Sequence, residues 1–100
     1  MMHRFFDVNG MTEMDFILAV NQRIRDLDRE SHGFSFMLTF MYDDEPLFQG
    51  EIIPETENTY SLKVKDQGSH NLSLTELSYL LWDHVKSEME KNQEPPEMEE

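Results

Sequence analysis

Apolar residues along this chain repeat with a helical period, then a strand period, then a helical period again. Ile17, Val20, Ile24 and Leu27 recur at spacings of 3, 4 and 3 with Phe16 beside them, while Gln22, Arg23, Asp26 and Arg29 take the opposite face. That is the stripe of an amphipathic helix. Thr12 is a good N-cap, and Asp15 three residues on gives a weaker form of the capping box. His32-Gly33 ends the stripe, because glycine readily takes the left-handed conformation that closes a helix.

From Phe34 the period is two. Phe34, Phe36, Leu38, Phe40 and Tyr42 fall on one face of a strand, and Ser35, Met37, Thr39 and Met41 on the other. Asp43 to Pro46 has the composition of a turn, with Pro46 pre-setting its backbone angle. Leu47 to Ile53 follows as a second strand, in which Gly50 marks a bulge or a close approach. Pro54 to Asn58 is a turn. Thr59 to Lys65 is a third strand, with Tyr60, Leu62 and Val64 pointing one way. Asp66 to Asn71 has the composition of a loop around Gly68. Ser73 with Glu76 forms a full capping box for a second helix, whose stripe is Leu74, Leu77, Leu81 and Val85 and which fades near Asn92. Phe5, Phe6 and Val8, ahead of the turn signal Asn9-Gly10, make either a short strand or an arm packed on the body.

Helix, three strands and helix, joined by short connections, predict an α+β two-layer sandwich: a three-stranded antiparallel meander (αβββα) with both helices on one face. The covered face is expected to hold the even-numbered residues from Phe34 to Tyr42 together with Tyr60, Leu62 and Val64. Residues 1–92 are expected to form one domain. Residues 93–100, which contain Pro95-Pro96, are expected to be a disordered acidic tail.

Charge changes the picture most. Twenty-one Asp and Glu stand against 8 Lys and Arg, a net charge of −13. Setting aside the four tail acids Glu94, Glu97, Glu99 and Glu100 still leaves 17 acids against 8 bases, so the excess belongs to the body. Such a body repels nucleic acid and anionic membrane, because holding phosphates takes clustered Lys and Arg. It attracts basic partners, although acidity also serves solubility alone. The chain has no cysteine, which removes disulfides, thiolate metal sites and cysteine nucleophiles. Met1 to Asp7 has no apolar run resembling a signal peptide, and the apolar stretches Phe16 to Val20 and Leu80 to Trp82 are too short to span a bilayer. A cytoplasmic location is the expectation.

Candidate chemistry is sparse. His3, His32, His70 and His84 are scattered, with no pair at helical spacing for a metal. The run Asp43-Asp44-Glu45 lacks the alternation and central glycine of a calcium loop. No nucleophile elbow or phosphate-cradling glycine loop is present. No metal, cofactor or catalysis is therefore expected. A deep pocket lined by His70 or His84 together with carboxylates would revive a small enzyme as an alternative.

Binding is the better lead. Between Tyr42 and Glu57 stand Asp43, Asp44, Glu45, Glu51, Glu55 and Glu57, with no Lys or Arg among them. Like charges so close repel, so this stretch is either a solvated rim or a recognition surface whose carboxylates imitate phosphate spacing. Met37 and Met41, on the second face of the first strand, either pack against the N-terminal arm or form an adaptable contact surface.

The element order resembles that of the double-stranded RNA-binding domain. That family reads phosphates with a lysine-rich start to its second helix. Here the matching Ser73-Leu74-Thr75-Glu76 has no base and the hairpin is acidic, so RNA binding does not carry over. In size and charge the chain is also similar to the small acidic proteins that phages use against host nucleases, including some anti-CRISPR proteins. The leading expectation is a non-catalytic module that binds a basic protein partner, most concretely an inhibitor that occludes a nucleic-acid-binding protein by charge mimicry. The alternative is a small homodimeric or accessory protein with apolar contacts, its acids serving only solubility.

Overall fold

A computed structural model describes residues 1–93. The acids Glu94, Glu97, Glu99 and Glu100, and with them the expected tail beyond Gln93, lie outside the described residues. The elements run β1 (Met2–Asp7), α1 (Glu13–Glu30), β2 (Phe36–Tyr42), β3 (Glu45–Pro54), β4 (Tyr60–Val64), β5 (Gln67–Leu72) and α2 (Leu74–Gln93). The fold is α+β. It differs in detail from the expected αβββα sandwich, because the sheet has five strands in the order β1-β2-β3-β4-β5.

Two segments account for the difference. The N-terminal segment is a strand paired parallel to β2, with Met2 opposite Phe36 and Phe6 opposite Phe40. Parallel neighbours need a crossover, and α1 supplies it. At the other end, most of the expected loop from Asp66 to Asn71 belongs to β5, antiparallel to β4 with Val64 opposite Gln67. The likeness in element order to the double-stranded RNA-binding domain is lost with these two strands. The β2–β3 connection is also tighter than expected. Tyr42 pairs with Glu45, leaving Asp43 and Asp44 as a two-residue turn with both φ values positive, at 52° and 64°. Such turns match the right-handed twist of their strands, and Asp tolerates the left-handed region. Pro46 therefore sits inside β3, beside the irregularity after Phe40, rather than shaping the turn.

Both helices lie on one face. Phe16 of α1 packs on Phe6, Phe40 and Trp82, and His84 of α2 lies against Phe48. Phe36, Leu38, Phe40, Tyr60, Leu62 and Val64 are buried there as expected, whereas Phe34 precedes β2 and is 75% exposed. Gly50 of β3 is a close approach: a Cβ there would meet Leu62 Cδ1 at 3.1 Å. Both capping boxes form. Thr12 and Asp15 bond reciprocally at the start of α1, and Ser73 and Glu76 at the start of α2. Among the described residues, no helix is long and apolar enough to cross a membrane.

Candidate functional site

Among the described residues, the second face of the sheet carries no helix. Its side chains follow from the strand registers. His3, Met37, Glu51 and Lys63 lie side by side across four strands, and the next row holds Phe5, Thr39 and Gln49. Ile53 and Ser61 make a further row. This face is polar and mixed in charge. Phe5 is 59% exposed on it, while Met37 and Met41 are half-buried.

The six candidate acids do not share one patch. Asp43, Asp44 and Glu45 are exposed at the β2–β3 turn. Glu55 and Glu57 are exposed at the β3–β4 turn, at the opposite end of β3. A ten-residue strand rises about 3.3 Å per residue, so the two groups stand roughly 30 Å apart. Glu51, half-buried, lies between them opposite Lys63. The β2–β3 turn gains acid that sequence spacing does not reveal. Asn9 Oδ1 accepts from the Asp43 N–H at 3.2 Å, and the Asn9 N–H donates to Asp7 at 2.9 Å, which ties Asp7 to the same end. The N-terminus of α1, with Glu13 and Asp15, starts there too. Among the described residues, none of the six candidate acids makes an ion pair. The bases Arg4, Arg29, Lys65, Lys86 and Lys91 pair instead with Glu30, Asp26, Glu88 and Asp83.

At the β3–β4 turn the structure builds a feature that sequence reasoning missed. Ser61, only 2% exposed, lies under two polar side chains. Its hydroxyl donates to Glu55 Oε2 at 2.6 Å and contacts His70 Nδ1 at 3.0 Å. Thr56 and Thr59 hydroxyls bond each other at 2.7 Å alongside. Together with Asn71 these residues line an open cavity of about 320 Å³. The order of contacts differs from a serine-nucleophile relay, where the imidazole stands between serine and acid and takes the serine's proton. Here the buried hydroxyl stands in the middle. No spacing rule joins residues 55, 61 and 70; the β3–β4 pairing brings Glu55 to Ser61 and the β4–β5 pairing brings His70, and β5 itself has a loop-like composition.

His84 lines a second open cavity of about 310 Å³ with Lys65, Glu88 and Lys91. Burial against α2's neighbours lowers its pKa from the ordinary value, Glu88 and Asp83 opposing that shift. Tyr60 is pushed up, first by burial and then by Asp28, whose carboxylate accepts its hydroxyl at 3.2 Å. The free edge of β1 is covered: the Phe5 carbonyl accepts from Arg23 at 3.3 Å and the His3 carbonyl from Arg4 at 3.1 Å. Guanidinium groups there blunt the edge against further strand pairing.

No protein-family model, curated protein or solved structure matches the chain.

Proposed function

We propose that the protein is a non-catalytic binding module that presents carboxylates to a basic protein partner, most concretely an inhibitor that occludes the groove of a nucleic-acid-binding protein. The observation that carries this reading is the set of acids without ion-pair partners at the β2–β3 turn, where Asp43 and Asp44 of the two-residue turn and Glu45 at the start of β3 are exposed. Long-range attraction to a basic surface speeds and orients association, and salt screens it. Binding to the partner should therefore weaken steeply from low to high salt. Reversal of Asp43, Asp44 and Glu45 to lysine should abolish it, while the fold, read by circular dichroism, stays intact. Undiminished binding by that triple variant would sink the proposal.

The second reading is a homodimer or accessory protein that uses the uncovered sheet face through Met37, Met41 and the exposed Phe5. What favours it is the absence of any helix over that face among the described residues. Sedimentation at high salt separates the two: a dimer insensitive to salt supports the second, and a monomer the first.

A further inference from the structure

We infer that the cavity at the β3–β4 turn is a receptor for the cationic head group of a basic side chain, an arginine guanidinium or a lysine ammonium. This rests on the proposal that the partner is basic, and it names a site for one of the partner's side chains. The Ser61 hydroxyl carries a single proton, and a carboxylate can only accept. That proton therefore goes to Glu55 Oε2, 2.6 Å away. The 3.0 Å contact between Ser61 Oγ and His70 Nδ1 then needs its hydrogen from the ring, so Nδ1 is the donor. With the proton on Nδ1, the Nε2 of a neutral imidazole is a bare acceptor.

The cavity thus offers acceptors. Glu55 Oε1 makes no hydrogen bond among the described residues, His70 contributes Nε2, and the Thr56 and Thr59 hydroxyl oxygens keep lone pairs beyond their mutual bond. Glu57 in the same turn adds negative charge. Cationic N–H groups form charge-assisted bonds with such a set, whereas an anion meets lone pairs and a carboxylate. A zinc ion takes four ligands, while a single imidazole and a single carboxylate line this cavity, and among the described residues no group of three metal-ligating side chains occurs.

Two measurements on the full chain test this without a partner. Long-range proton–nitrogen NMR reads the ring tautomer of His70 in the free protein. The Nδ1–H form is expected, and the Nε2–H form would overturn the inference. Titration of isotope-labelled protein with Nα-acetyl-arginine amide, and separately with Nα-acetyl-lysine amide, should give saturable shifts at Glu55, Ser61 and His70 with at least one of them. Removing the charge with Glu55→Gln should weaken that binding about tenfold, while Glu90→Gln, exposed on α2 near Tyr42, leaves it unchanged. No saturable response to either compound, or an equal response in Glu55→Gln, overturns the site. Loss of partner binding on reversal of Asp43, Asp44 and Glu45, with no response to either compound, leaves the binding module standing and removes only this receptor.

Discussion

The two faces of one sheet are closed by different physics. On the helix side, Phe36, Leu38, Phe40, Phe48, Ile52, Leu62 and Val64 are buried under α1 and α2. Each such side chain contributes about 1.5–3 kcal/mol through its removal from water. On the open side only Thr39 and Ser61 are buried among the described residues, and both are hydroxyl residues. Each lies beneath a histidine: His3 Nε2 is 2.6 Å from Thr39 Oγ1, and His70 Nδ1 is 3.0 Å from Ser61 Oγ. A hydrogen bond of this kind nets only about 0.5–1.5 kcal/mol. The lesson is that the covered face holds the fold together, while the open face is shaped by a few directional contacts that can be altered without unfolding the chain.

The largest test of this contrast is a pair of truncations. Phe40→Ala, in the covered face, should cost about 3–5 kcal/mol in urea denaturation. Met37→Ala, half-buried across from Glu51 on the open face, should cost well under half of that. Equal costs would mean that the open face is itself a core, closed by a second copy of the chain. A smaller effect is expected of Ser61→Ala, about 1 kcal/mol, since Glu55 and His70 are exposed and can turn to water. A loss comparable to that of Phe40→Ala would show that the polar cluster is a structural centre in its own right.

The smallest effect is a pH slope. His84 sits at the rim of the covered face against Phe48, and its pKa is lowered chiefly by burial. The unfolded chain then binds the proton more readily than the folded one. Stability from neutral His84 is complete above the ordinary imidazole value of about 6.5 and declines as pH falls below it. Replacement by Gln should flatten that decline, measured by urea midpoints between about pH 5 and 7. An unchanged slope would place the acid sensitivity elsewhere.

Much of the covered face was legible in the sequence. The helical spacing of Ile17, Val20, Ile24 and Leu27, the alternation from Phe36 to Phe40 and both capping residues, Thr12 and Ser73, matched the elements they predict. β1 was legible only as one of two alternatives, a short strand or an arm, because Arg4 interrupts its inward face and reaches Glu30 at 3.7 Å instead. Its partner, β2, lies beyond an 18-residue helix. β5 was hidden because Gln67 to Leu72 has one apolar residue, and an edge strand facing water needs no more. The turn before it, with Lys65 at φ 54°, lacks the glycine or asparagine that announces a tight hairpin.

The acids tell the same story at the level of the site. The count from Asp43 to Glu57 and the absence of bases among them are properties of the sequence alone. Where they go is not. β3 is extended, so it carries Asp43, Asp44 and Glu45 to one end of the sheet and Glu55 and Glu57 to the other. Only the pairing of β4 with β3 on one side and β5 on the other sets Glu55 and His70 around Ser61. Local chemistry determined the helices, their caps and the covered strands, because each signal is complete within a few residues. The tertiary structure alone decided the sheet edges and the polar cavity, because hydrogen bonds between strands distant in sequence leave no periodic mark on either strand.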